Sequence, residues 1–322
     1  MDIEELKDKL EQITGCETKK CGFEAYLLTK ELKRLRLAID GDLEKNLKES
    51  IINVLKESYL SKGAKYLDVE KEVDERADYY VMQQTEDYKP FDIANWEKGK
   101  FSEEDLEKFK GFLFSLRADQ QEIWCYQNRR NNSYTNRKKT NILARLKGYD
   151  DNKWIFKEQT EKIISFSHAV DIVIVDDYLI TGDIGLLERS FDFQVFIKKK
   201  GQEAVKRIYE KDLFSGEEAL KNYLEDKKCP KSYQKKMMKT IDSPILSMYD
   251  KKATELYTKL SSLERWKGKF KEPVEGTIPI ETNDDIEAMI DLLIERFTKS
   301  EVSGLEYDTI VKRKVETNEQ NK

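Results

Sequence analysis

The segment that most restricts the fold of this chain is VDIVIVDDYLIT, from Val170 to Thr181. Two apolar, β-branched runs, Val170 to Val175 and Tyr178 to Thr181, flank Asp176-Asp177, and two polar residues between such runs predict a tight hairpin. Beyond it the apolar spacing becomes helical. Ile184, Leu187, Phe191 and Val195 recur on one face, Ser215 with Glu218 reads as a capping box, and helical patterns continue over Lys231 to Ile241 and Tyr249 to Trp266. Thr282-Asn283 caps a further amphipathic helix with Ile286, Met289, Ile290, Leu293 and Phe297 inward, and Leu305 to Val315 alternates as a terminal strand.

The N-terminal half mixes the two patterns. Residues 2 to 13 read as a short amphipathic helix, and Phe23 to Leu28 with Leu35 to Ile39 reads as a hairpin. Leu43, Leu47, Ile51, Val54, Leu55 and Tyr59 mark a core-facing helix. Asp78 to Met82, Phe112 to Leu116, Glu122 to Gln127 and Ile163 to Phe166 read as strands, and Ser102 with Asp105 opens a helix to Lys110. The expected class is α+β: an N-terminal mixed strand and helix part, followed by a hairpin-containing, largely helical C-terminal part. The predicted boundary lies within Lys147 to Lys157, giving domains 1–150 and 151–315 and a flexible tail at 316–322.

Charge narrows the function. The 322 residues carry 58 basic and 63 acidic side chains, so the net charge of −5 excludes a global attraction to nucleic acid and leaves any such contact to a local patch. No run of about 18 apolar residues and no charged-then-apolar leader is present, which predicts a cytosolic protein unless a partner holds it at a membrane. Cys16 and Cys21 have four residues between them, the wrong spacing for a zinc knuckle, so all four cysteines are expected as reduced thiols with no metal or other cofactor. His168 is the single histidine, which removes Ser-His-Asp and Cys-His mechanisms, and no Walker loop or glycine-rich dinucleotide turn occurs.

One stretch stands out against the acidic background. Between Gln127 and Tyr149 there are seven cations, Arg129, Arg130, Arg137, Lys138, Lys139, Arg145 and Lys147, and no carboxylate. Phosphate recognition needs cations free of competing acids, and Asn131, Asn132, Ser133, Tyr134 and Asn136 add neutral donors. A solvated loop that aids solubility is the alternative. A second acid-free run, Lys227 to Ile241, carries Lys231, Lys235, Lys236 and Lys239, with Lys235 and Lys239 one helical turn apart, as either a second contact surface or an ordinary exposed helix. Asp171, Asp176, Asp177, Asp183 and Glu188 sit at strand ends and a helix start, where a magnesium-dependent nuclease would place its ligands; turn and cap chemistry accounts for the middle three equally well.

The stretch IISFSHAVDIVIVDDYLITGDIGLLERSFDF, Ile163 to Phe193, resembles the central region of KwaB, the family of soluble components of the bacterial Kiwa anti-phage defence system. The resemblance lies in the order of features: a strand ending near Phe166, the step Val170-Asp171-Ile172, a tight hairpin, and a helix with Glu188 followed by Phe191 and Phe196. Ile286 to Val315 is similar as well. The resemblance implies a cytosolic effector that binds DNA, restrains phage replication and transcription without catalysis, acts as a homodimer and docks on a KwaA-like membrane partner. Expected DNA contacts are Arg129, Arg130, Arg137, Lys138, Lys139, Arg145, Lys147, Lys231, Lys235, Lys236 and Lys239, chosen on charge alone. The alternatives are a metal-dependent nuclease built on Asp171, Asp183 and Glu188, and an interaction module for acidic protein or anionic lipid.

Overall fold

The computed structural model describes residues 3–17, 20–69, 77–102, 104–105, 109–128, 144–148, 154–158, 166–226, 229–295, 297–299 and 306–308, with backbone alone at 144–148, 154–158, 231, 297–299 and 306–308. The chain is α+β, as expected. It divides into two compact units: Met1–Tyr66 with Asp78–Ile184, and Leu67–Ala77 with Gly185–Lys322.

The predicted hairpin forms and lies within the sheet of the first unit. β10 (Ile172–Val175) and β11 (Tyr178–Thr181) pair antiparallel with Val175 opposite Tyr178. Asp176 turns the chain at φ 51°, a left-handed conformation that aspartate tolerates better than most residues. The other strands are β1 (Gly22–Thr29), β2 (Arg34–Arg36), β3 (Tyr66–Asp68), β4 (Tyr79–Gln83), β5 (Lys98–Lys100), β6 (Phe109–Ala118) and β7 (Gln121–Asn128). Within the first unit, to which only Tyr66 of β3 belongs, they stand in the order β4-β11-β10-β7-β6-β1-β2-β5. β10 pairs with β7, Val173 opposite Cys125, so the hairpin belongs with the N-terminal strands. After the hairpin the chain passes into the second unit between Ile184 and Gly185.

Alternation decides which face of this sheet is core. Ala25 and Leu27 of β1, Phe112, Phe114 and Leu116 of β6, Ile123 and Cys125 of β7 and Val173 and Val175 of β10 bury against helices α1 (Ile3–Gly15) and α2 (Gly41–Val54). Leu6, Leu10 and Ile13 of α1 and Leu47 and Ile51 of α2 supply the facing stripe, and each buried leucine or isoleucine contributes about 1.5–3 kcal/mol. Asp40 caps α2 by accepting the Leu43 N–H at 2.8 Å, and α2 continues into a π turn, Leu55–Tyr59. On β6 the absence of a side chain at Gly111 is required, since a Cβ would stand 2.7 Å from the Tyr126 ring and 2.3 Å from the Gln127 carbonyl oxygen.

The second unit is a helical assembly. Its helices are α3 (Ile184–Ser190, begun by the last residue of the first unit), α4 (Phe193–Tyr209), α5 (Glu217–Glu225), α6 (Lys231–Lys239), α7 (Pro244–Met248), α8 (Ala253–Ser261) and α9 (Asn283–Leu293). They enclose a core that includes Ile208, Leu220, Met237, Leu256, Trp266, Met289 and Ile290. Thr282 is the predicted cap of α9: it accepts the Asp285 N–H while Asp285 accepts the Thr282 N–H, which makes the cap a capping box.

Several local expectations are corrected. Phe109 and Lys110 belong to β6, so the helix expected to reach Lys110 does not; Ser102 and Asp105 keep their mutual hydrogen bonds as a turn. Asp192, at φ 52°, separates α3 from α4, and Val195 is exposed instead of inward. Ser215 lies in β12 (Phe214–Ser215), which pairs with β13 (Ile278–Pro279), and the residue before α5 is Gly216, at φ 98°, where a Cβ would stand 2.0 Å from the Ile280 carbonyl oxygen. The run from Tyr249 to Trp266 is helical only over α8. Phe297 opens β14 (Phe297–Lys299), which pairs with β15 (Glu306–Asp308), and does not continue α9. The predicted strand at 163–165 and the tail at 316–322 lie outside the described residues.

Candidate functional site

Where the acid-free stretch begins, the chain is clasped. Gln127 is buried and donates through Nε2 to the Ser167 carbonyl at 2.7 Å. The Asn128 N–H donates to Asp171 Oδ2 at 2.7 Å, the Asp171 N–H donates to the Tyr126 carbonyl at 2.9 Å, and Thr181 Oγ1 donates to the Asp171 carbonyl at 2.9 Å. Asp171 thus ties the last residue of β7 to the hairpin. Arg129, Arg130, Arg137, Lys138 and Lys139 lie outside the described residues. Arg145 and Lys147 fall on β8 (Ala144–Gly148), opposite Lys157 and Ile155 of β9 (Trp154–Glu158).

The second acid-free run includes helix α6, where Lys235 and Lys236 are engaged within their own unit. Lys235 Nζ stands 2.5 Å from Glu188 Oε1. Lys236 Nζ donates to Asp291 Oδ1 at 2.9 Å and lies 3.9 Å from the centre of the Tyr233 ring, with its side chain 8% exposed. Lys239 is half-buried and Lys231 starts the helix. A phosphate that contacted Lys235 or Lys236 would first have to part these pairs.

Two of the carboxylates considered for a metal are likewise occupied. Asp171 is the clasp and Glu188 holds Lys235, while the backbone N–H of Asp183 donates to Thr181 Oγ1 at 3.1 Å as part of a tight turn. Asp171 and Asp183 belong to the first unit and Glu188 to the second. Among the described residues no three His, Cys, Asp or Glu side chains gather as a metal site. All four cysteines are free thiols, and burial pushes the Cys125 thiol far up. His168 is exposed, its Nδ1 2.7 Å from Ser50 Oγ.

Sequence reasoning missed a third group of cations. β2 and β5 pair in parallel with Arg34 opposite Lys98 and Arg36 opposite Lys100, which sets like charges side by side on one face, an arrangement that costs stability unless something offsets it. Arg117 of β6 joins them around a cavity of about 680 Å³ whose floor includes Tyr26 and Trp124. Glu24 accepts from Arg117 Nη2 at 2.7 Å and lies 3.1 Å from Arg36; Glu122 accepts from Arg117 Nε and from Ser115 Oγ, both at 2.6 Å. The Tyr26 hydroxyl donates to Glu24 at 2.5 Å, and this bond, against an opposing effect of burial and with help from Arg117 and Arg36, holds the Glu24 carboxyl below its usual range. Burial first, and then Glu24, push the Tyr26 phenol up.

Arg34 is the innermost of these cations. It is 7% exposed, and its guanidinium carbon lies 5.8 Å from the Tyr26 ring and 5.7 Å from the Trp124 ring. Its buried Nε has no hydrogen-bond partner among the described residues. Lys98 and Lys100 are exposed, and among the described residues neither has an ion-pair partner. The five cations span residues 34 to 117, so no window of sequence displays them together. The available signal was the pair of alternating triplets Arg34-Leu35-Arg36 and Lys98-Gly99-Lys100, each a single strand.

Comparison with known families then separates these groups. Residues 106–303, more than half of the chain, match the family described as Kiwa protein KwaB-like. The chain belongs to this family. As a KwaB-like protein it is a component of a Kiwa anti-phage defence system, as the resemblance of Ile163 to Phe193 implied. The KwaB-like region contains both acid-free stretches, whereas the Arg34, Arg36, Lys98 and Lys100 strands precede it. No curated protein and no solved structure is detectably similar to the chain. Among the described residues no helix is long and apolar enough to cross a membrane.

Proposed function

We propose that this KwaB-like chain is a DNA-binding effector that blocks phage replication and transcription by occupying DNA without cutting it. It works from the cytosolic face of the membrane, as a homodimer docked on a KwaA-like membrane partner. The observation that carries the reading is the seven-cation, carboxylate-free stretch within the family-matched region. Asn128, the residue before its first cation, is held by the Asp171 clasp. The engagement of Asp171 with Asn128 and of Glu188 with Lys235 supports binding over cleavage, because both carboxylates already serve the fold.

Salt dependence tests the assignment. If all seven cations meet phosphate, the log–log slope of affinity against salt is about −6. Replacing Arg137, Lys138 and Lys139 with Ala flattens it by about 2 to 3 units and weakens binding to all sequences alike. An unchanged slope removes this stretch from the interface. Phage DNA incubated with the protein and magnesium or manganese stays intact, and cleavage that disappears in Asp171→Asn would replace the binding reading with the nuclease.

A further inference from the structure

We propose that the cavity framed by β2, β5 and β7 binds a free nucleotide, its phosphates on Arg36, Lys98 and Lys100 and its base against the apolar wall of Trp124 and Ile93. Three observations converge on a phosphorylated ligand. The cavity brings five cations, Arg34, Arg36, Lys98, Lys100 and Arg117, against two carboxylates, Glu24 and Glu122, an excess of three positive charges. Both carboxylates are committed to Arg117 and Arg36, so the lysines face the cavity without counter-charge among the described residues.

Arg34 makes the cavity a prepared site and not merely a charged surface. More than nine-tenths of it is buried, two aromatic rings flank its guanidinium, and its Nε proton meets no acceptor among the described residues. A buried donor left unpaired is costly, and an incoming phosphate oxygen would remove that cost. A guanidinium held in this way loses little freedom when it engages an oxyanion.

Size and lining favour a nucleotide over a bare anion. About 680 Å³ falls within the range of roughly 300–1,000 Å³ typical of small-molecule sites. Trp124 and Ile93 line the same cavity as the cations, which gives a planar base an apolar surface beside the phosphate subsite. These residues differ from those of the DNA reading, so each proposal can fail while the other stands.

The test titrates the full chain with ATP, AMP, adenosine, inorganic phosphate and a 5′-phosphorylated oligodeoxynucleotide, by calorimetry and by thermal shift. ATP is expected to bind saturably and raise the melting temperature, with inorganic phosphate and adenosine each weaker by about tenfold or more. The exposed pair Lys98→Ala with Lys100→Ala keeps its own melting temperature and loses ATP affinity by about tenfold or more, and Arg34→Lys loses affinity as well. Four results overturn the proposal: no saturable ATP binding, ATP binding unchanged in the lysine variant, inorganic phosphate binding as tightly as ATP, or capture of the oligonucleotide through Lys98 and Lys100 without capture of ATP.

Discussion

Helix α6 and the strand pair β2 and β5 each carry a dense set of cations, yet the fold treats them in opposite ways. In α6 Lys235 and Lys236 meet carboxylates contributed from elsewhere in the same unit, Glu188 on α3 and Asp291 on α9, and Lys236 is buried against Tyr233. At the sheet edge the strands set Arg34 beside Lys98 and Arg36 beside Lys100, and the two nearby carboxylates are taken by Arg117 and Arg36. A cation run in sequence therefore does not measure available charge. What matters is whether the tertiary neighbours bring acids to it, because pairing in a partly buried setting ties the cation to the fold, while unpaired neighbours repel.

Stability measurements can break this contrast. The largest effect is expected from Lys236→Ala, which strands Asp291 and strips the Tyr233 ring; a loss of about 2–3 kcal/mol in urea unfolding follows, lessened by the partial exposure of Asp291. A loss near zero would place α6 with the sheet edge. A smaller effect is expected from Glu24→Gln, roughly 1 kcal/mol at pH 7. Because Glu24 is held below its ordinary range when folded, its contribution is complete above the unfolded carboxyl value near pH 4.3 and is lost as pH falls through the lower folded value. Unfolding midpoints of wild type and Glu24→Gln thus draw together as the pH is lowered through the acid range; a gap that does not narrow refutes the ionic account. The smallest effect is expected from Lys98→Ala with Lys100→Ala, within about 0.5 kcal/mol of wild type or slightly stabilising, since only like-charge repulsion is relieved. A substantial loss would show that these lysines serve the fold.

Much of the fold was legible because its signals are local. The Asp176-Asp177 hairpin, the amphipathic stripes of α1 and α2 and the Thr282 cap of α9 depend on spacings of a few residues, and each stands where its pattern put it. The misreadings arose where a local pattern competed with tertiary demand. Ser102 and Asp105 do make capping contacts, but Phe109 is drawn into β6 by its place in the sheet core. The period through Phe191 and Val195 ran across a backbone break at Asp192 that apolar spacing cannot report.

For function, the sequence alone determined the class: an α+β chain of the KwaB-like family whose carboxylate-free stretch is the marked departure from an acidic background. Only the tertiary structure decided which charges remain to act. Composition lists Asp171 among possible metal ligands, whereas the sheet turns it into a backbone clasp. Composition also ranks α6 above two short triplets, whereas strand register leaves the triplets facing a cavity and helix packing hands Lys235 and Lys236 to Glu188 and Asp291. The reason is range: helix periods, turns and caps are settled within a few residues, while the partner of an ionic side chain is set by which distant strands and helices the core packs together.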